Sequence, residues 1–306
     1  MTTLAYFENQ FVPIDQAKVS VTCNTLHYGT GCFGGIRAYW NEEEGQLYGF
    51  RFLEHYKRFL NSAKLLHCKF DYTPETLAEI TCELLRREGW RQNVYIRPLA
   101  YKDEQIYRVW LHDSSDKVTI FSQPVGGYIK VEKGANVCVS AWRRVDDTAI
   151  PARGKISGTY INSALIKSDA MLSGFDDALV LSQDGHVAEG SAANFMMVRD
   201  GVVITPPITA NILEGITRKS LLVLIRKALG LEVVEREIDR SELYLCDEAF
   251  YCGTGAQVTP ITTIDHRKVG CGEVGVITNQ IRELFFRVVL GKESGYKQWL
   301  TPIYSK

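Results

Sequence analysis

Ile150-Pro151-Ala152-Arg153-Gly154-Lys155-Ile156-Ser157-Gly158-Thr159-Tyr160-Ile161-Asn162 is the stretch around which the chain is arranged. Glycines and small residues flank Lys155, and an amphipathic helix is expected to start just after it. A lysine among small residues can approach a flat ligand closely. Drawn out of water, it also loses part of its preference for the charged form. A lysine that bonds covalently to a carbonyl ligand needs both properties. The plain alternative is a surface lysine in a loop, and the rest of the chain decides between the two.

The chain has 306 residues, long enough for two domains. A hydrophobic content of 45% and a charged content of 23% fit an ordinary soluble globular protein. The net charge is −1 with no basic block, which argues against nucleic acid and anionic membrane as partners. The first residues, Met1 to Glu8, lack a basic segment followed by a long apolar one, so no signal peptide is expected. No apolar run reaches the roughly 20 residues that span a bilayer. None of the eight cysteines forms a Cys-x-x-Cys pair, so they read as reduced thiols in a cytoplasmic protein. The six histidines lack metal-ligand spacing, and no metal is expected.

Residues 4–22 read as a short hairpin. The run from Asn24 to Arg37 contains Gly29-Thr30-Gly31-Cys32-Phe33-Gly34, a literal G-x-G-x-x-G. A dinucleotide fingerprint requires a helix opening on the glycines. Here Ile36 to Trp40 reads as a strand, so the glycines are expected to let the loop pack closely on something else. Residues 52–66 read as a helix with Leu53, Tyr56, Leu60 and Ala63 on one stripe and Arg58 opposite. Thr73-Pro74 opens the next helix and Gly89 ends it. In Val94 to Leu99, period two puts Tyr95 and Arg97 on one face, either solvated or the polar wall of a pocket. Pro124-Val125-Gly126-Gly127-Tyr128 is the expected domain boundary. Beyond it come a strand at 136–142, the Lys155 stretch, and a helix to Leu172. Two hairpins follow, with type I′ turns expected at Asp184-Gly185 and Asp200-Gly201. Leu213 to Thr217 leads into a helix ending at Gly230. Arg218 and Lys219 in its first turn oppose the helix dipole, which an anion bound at that N-terminus would relieve. Strands at 232–238 and 248–252, a tight loop at 253–257 and a helix at 274–290 complete the chain.

Several of these stretches together resemble the branched-chain amino acid aminotransferases, of the fold-type-IV pyridoxal-phosphate class. They are Leu26-His27-Tyr28-Gly29-Thr30, Gly35-Ile36-Arg37, Tyr95-Ile96-Arg97-Pro98, Lys155 with Tyr160, Glu189-Gly190, Gly215-Ile216-Thr217-Arg218 and Gly253-Thr254. The resemblance implies an α+β fold of two domains. Residues 1–123 would form the small α/β domain, 124–134 the connection, and 135–306 the larger β-rich domain, with the cofactor between the domains. It implies a homodimer at least, each site completed by the neighbour's N-terminal loop. The reaction would move an amino group between Leu, Ile or Val and 2-oxoglutarate by a ping-pong mechanism.

The same resemblance assigns roles. Lys155 would bond pyridoxal 5′-phosphate covalently and then carry the proton from Cα to C4′. Glu189 would face the pyridine nitrogen and keep it protonated, so the ring can accept electrons. Tyr160 would hydrogen-bond the 3′ oxygen, and Leu213 would pack on the ring. Arg58, the N–H groups of Ile216 and Thr217, and Thr254 would bind the phosphate or lie beside it. Thr254 and Gly255 would take the substrate carboxylate. Tyr28, Phe33 and Arg37 would line the substrate pocket, with Tyr95 and Arg97 meeting the second carboxylate of glutamate or 2-oxoglutarate. This chain departs from the family at Gly34 and Ala193, where glutamate is common, at Gly255 with Gln257, and from Asp103 to His112, where Tyr107, Arg108 and Trp110 stand. These departures bear on the substrate range. Alternatives within the fold are D-amino-acid transaminase, R-selective amine transaminase and aminodeoxychorismate lyase; outside it, a nicotinamide-dependent oxidoreductase.

Overall fold

The structure is a computed structural model that describes residues 3–105, 107, 109–125 and 134–304. Arg108 and the core of the expected connection, Gly126, Gly127 and Tyr128, lie outside the described residues. The chain divides into two compact units. One holds Met1–Gly126, Gly154–Thr159 and Arg287–Lys306; the other holds Gly127–Arg153 and Tyr160–Phe286.

The first unit is built on an eight-stranded sheet. Its longest pair, Val94–Lys102 and Asp116–Pro124, runs antiparallel at the centre. Val94 and Ile96 are buried while Tyr95 and Arg97 are half-buried, the alternation expected from the sequence. The C-terminal residues expected in the second domain are a correction. Leu300–Pro302 adds itself as the edge strand beside Gln46–Phe50, and that pairing draws residues 287–304 into the first unit. The Lys155 segment is the second correction. Phe33 N–H donates to Lys155 O (3.0 Å), Ser157 N–H to Gly31 O (2.8 Å) and Gly158 N–H to Gly29 O (3.1 Å). These bonds lay residues 155–158 antiparallel to the glycine-rich run. The glycines therefore serve close backbone contact. A Cβ at Gly29, already at φ +66°, would lie 2.8 Å from Gly158 Cα. No helix opens on them; the short helix Asn24–Tyr28, not anticipated from the sequence, precedes them.

The unit also holds two longer helices. Pro74–Glu88 has the capping box of Thr73 with Thr76 and ends at left-handed Gly89, as the signals at Thr73-Pro74 and Gly89 dictate. Phe52–Leu65 buries Tyr56 and Ala63 as expected, but Phe52 and Phe59 take the places of Leu53 and Leu60 on the buried stripe. Phe52, Tyr56, Phe59 and Ala63 are buried, and Leu53 is 47% exposed. Burying two phenylalanines instead of two leucines covers more apolar area.

A nine-stranded mixed sheet forms the second unit, with a core that includes Val137, Leu179, Phe195, Met197 and Tyr251. Helix Tyr160–Leu172 packs on strands Ala135–Arg143 and Asp177–Leu181. At Asp200-Gly201 both residues have positive φ, as a type I′ turn requires. At Asp184-Gly185 only Gly185 does, so that turn is not type I′. There Gly185 N–H closes back on Ser182 O, and a bulge between Val187 and Glu189 absorbs the extra residue. The expected strand 232–238 shortens to Val233–Glu235.

Candidate active site

In the first unit, the backbone bond from Phe33 fixes Lys155 beside the Phe33 ring, with its Nζ 5.0 Å from the ring centroid. The Arg97 guanidinium lies over the same ring at 4.3 Å, and its Nη2 donates to Tyr95 OH at 3.2 Å. Arg97 Nε is buried with no partner among the described residues. Arg37 is buried and pairs across the sheet with Tyr95. Tyr28 ends its short helix and is 39% exposed. On helix Phe52–Leu65, His55, Arg58 and Ser62 share a face at helical spacing. Ser62 Oγ accepts from Lys155 N–H at 3.1 Å. His55, which sequence reasoning did not single out, is buried. Burial first, then the charges of Arg58, Arg51 and Lys155, hold its imidazole well below the ordinary value, so it is uncharged at neutral pH.

In the second unit, Glu189 is not on a surface hairpin but buried, at 4% exposure. Its Oε2 accepts from Asn194 Nδ2 (2.9 Å) and Leu213 N–H (3.3 Å), and its Oε1 pairs with Arg144 Nη2 at 2.9 Å. Arg144 and Asn194 were missed by sequence reasoning. They lie 45 and 5 positions from Glu189 (189 − 144 and 194 − 189), and neither spacing is a motif. Asn194 Nδ2 also donates to Leu213 O at 2.9 Å, tying the glutamate to the loop that precedes helix Ile216–Lys227. A Cβ at Gly215 would lie 2.0 Å from Asn194 Oδ1, so only glycine fits there.

Gly215 is the N-cap of that helix and supplies no side-chain cap; Ile216 and Thr217 are buried in its first turn. The cations at its start have protein partners, which corrects the expectation that an anion explains them. Arg218 is 1% exposed and pairs with Glu235 (2.8 Å) and Pro206 O (2.8 Å), while Lys219 pairs with Glu214 at 2.9 Å. Thr254 and Gly255 form the turn between strands Glu248–Gly253 and Gln257–Ile264. Asn194 pairs with Cys252 across the sheet, so this turn and the Asn194 end of its strand lie at the same end of the sheet. Tyr160 opens its helix, half-buried. Ala193 O accepts from Gly190 N–H, closing the turn after Glu189. One grouping escapes sequence spacing: Asp184, His186 and Glu237 offer ligand atoms within 4.8 Å of one another on an exposed surface. There the Asp184 hydrogen bond raises the imidazole pKa, and the group reads as a surface ion-pair cluster.

Residues 31–264 match the model of the amino-transferase class IV family, which sets the class of the chain. It is 48% identical over 302 residues to the probable branched-chain-amino-acid aminotransferase of Aquifex aeolicus, covering 99% of this chain and 97% of that one. The solved branched-chain aminotransferase of Thermoproteus uzoniensis, with norvaline, superposes with a TM-score of 0.95 at 41% identity, covering 99% and 100%. That of Thermobaculum terrenum, solved in its PLP form, also gives 0.95, at 38% identity and covering 99% of each chain. The chain belongs to the branched-chain-amino-acid aminotransferase family.

Proposed function

We infer that the protein is a pyridoxal-phosphate-dependent transaminase that moves the amino group between branched-chain L-amino acids and 2-oxoglutarate. The buried, arginine-paired Glu189 carries this reading. Asn194, Leu213 and Arg144 hold this carboxylate in place, and a fixed, buried carboxylate is suited to a charge-assisted contact with a protonated ring nitrogen. The uncapped turn at Gly215-Ile216-Thr217 suits a phosphate. Arg218 and Lys219 are committed to carboxylates; the family resemblance assigns Arg58 to that phosphate. The donor set fits the cofactor.

Pyridoxal phosphate, when bound, supplies the sink for the electrons left as the substrate's Cα proton departs. Lys155 Nζ would hold the cofactor and, once freed, would be the base that carries the substrate's Cα proton. Glu189 would hold the proton on the ring nitrogen. Arg144 supports it by pairing with the carboxylate and fixing its position. Tyr160 would donate to the 3′ oxygen, Leu213 would pack on the ring, and Thr254 would help hold the phosphate and, with Gly255, orient the substrate carboxylate. Phe33 and Tyr28 would present the apolar wall for Leu, Ile and Val side chains, with Arg37 as a polar member of the same lining.

Arg97 sets the second substrate. A buried charged donor needs an anionic or polar partner, and the Nε of the half-buried Arg97 is buried with none among the described residues. The distal carboxylate of 2-oxoglutarate would be one. Each half-reaction is measured separately by stopped flow on the cofactor's visible band. The holoenzyme should react with L-leucine and not with D-alanine or R-1-phenylethylamine; the reverse preference would replace this reading with that of a D-amino-acid or R-amine transaminase. Arg97→Ala should slow the 2-oxoglutarate half-reaction by the equivalent of about 2–5 kcal/mol and the L-leucine half-reaction far less. Equal losses would make Arg97 structural or a ligand of the shared α-carboxylate.

Self-association is supported by apolar side chains exposed on the single chain. Ile161, Leu165 and Leu172 fall on one face of helix Tyr160–Leu172, and Val21, Leu26 and Tyr28 are exposed in the first unit. Eight unpaired cysteines, and no described helix long and apolar enough to cross a membrane, support a cytoplasmic location. Sedimentation of the native protein from the cytosolic fraction should give twice the chain mass; monomers would remove the dimer, and a periplasmic or membrane fraction the location.

A further inference from the structure

A cavity of about 500 Å³ lies in the first unit, lined from strand Gln46–Phe50, the last turn of helix Pro74–Glu88 and the C-terminal strand Leu300–Pro302. It shares no residue with those assigned above to cofactor or substrate. Its size is that of a small-molecule site. Leu300, Pro302, Ile303 and the Tyr48 ring give it apolar walls.

Most of its polar lining is already committed. Gln46 Oε1 accepts from Ile303 N–H (3.1 Å) and Tyr304 N–H (2.9 Å), and its Nε2 donates to Tyr304 O (2.8 Å). Tyr304 OH donates to Trp90 O (2.6 Å) and Tyr48 OH to Glu44 (2.6 Å). The remaining capacity is positive. Arg86 spends Nε on Ile303 O at 2.7 Å. Its carboxylate neighbour Glu83 is 3.8 Å away and already holds Arg87 at 2.7 Å. Lys297 has no carboxylate within 4.0 Å among the described residues. No described aspartate or glutamate lines the cavity. Ammonium and guanidinium groups donate and cannot accept. The complementary ligand is therefore an anion with acceptor oxygens, and the walls select a hydrocarbon body.

We propose that this cavity is a second ligand site, separate from the transamination chemistry, which takes an organic monocarboxylate. Arg86 receives the carboxylate through its fork of Nη donors and Lys297 adds a second charge.

The test is calorimetric titration of the holoenzyme with hexanoate, run beside a titration of the cofactor's visible band, which reports binding at the reactive centre. Wild type should show one more binding event by heat than by absorbance. Lys297→Glu and Arg86→Gln should each weaken that extra event about tenfold or more and leave the absorbance titration unchanged. Lys297 is exposed and has no carboxylate partner among the described residues, so its variant separates a lost contact from a lost fold. Hexan-1-ol, neutral with the same body, should bind at least about tenfold more weakly. A single event common to both titrations, an extra event indifferent to Lys297→Glu, or equal binding of the alcohol would each overturn the proposal.

Discussion

Lys155→Ala should lower transamination by about 10⁴-fold or more, because it removes the covalent tether and the proton carrier together. The backbone at 155 makes its bond to Phe33 N–H through a carbonyl that alanine also has. Ser62 Oγ likewise accepts from a backbone N–H. The segment should therefore keep its place, and the variant should still bind the cofactor through its phosphate contacts. Two readouts separate these effects. Borohydride treatment followed by mass measurement should add the cofactor's mass to wild type and nothing to the variant. Equilibrium dialysis should show retained, weaker cofactor binding. Wild-type turnover in the variant would move the chemistry to another residue.

The second large effect is expected at Glu189. A glutamine keeps the shape but replaces an acceptor-only group with one that offers two donors. Three donors, from Asn194, Leu213 and Arg144, converge on this side chain, so an amide must turn its NH₂ toward one of them. Arg144, itself buried, loses its counter-charge. The ring nitrogen loses a charge-assisted contact of about 1.5–3 kcal/mol, so single-turnover proton transfer should slow by about 10- to 10²-fold. Because breaking a buried ion pair also destabilises the fold, the rate is read on protein shown by circular dichroism to be native. Arg144→Gln serves as the control: it loses the ion pair but keeps the negative charge, and should lose less rate. An unchanged single-turnover rate in Glu189→Gln would remove the carboxylate from the chemistry.

Elements with local punctuation were legible in the sequence. Thr73-Pro74 and Gly89 bound a helix, Asp200-Gly201 makes a type I′ turn, and alternation in Val94 to Leu99 gives the strand its two faces. What failed depended on distant partners. Leu53 and Leu60 look as apolar as Phe52 and Phe59, and only packing against the rest of the unit chooses between the two stripes. Asp184-Gly185 reads as the same turn as Asp200-Gly201, but a bulge two residues on changes its geometry. Arg218 and Lys219 looked like unanswered charge because Glu235 lies 17 residues away and Glu214 belongs to the preceding loop. For the candidate site, the residue types at Lys155, Glu189 and Arg97 were visible. The surroundings that tune Glu189, Arg144 and Asn194, were not, since hydrogen bonds across a sheet leave no local spacing.

The return of the C-terminus to the first sheet has a consequence for how the chain is made. Strand Gln46–Phe50 leaves the ribosome long before its neighbour Leu300–Pro302 is translated. Gln46 must wait for Tyr304, 258 residues downstream, before its amide is satisfied. At about 5–20 residues per second, that wait is on the order of tens of seconds. Throughout it the nascent chain carries an open strand edge, a template for pairing with neighbouring chains. The first unit thus cannot finish folding vectorially, and its completion is a late, long-range closure of the slow kind.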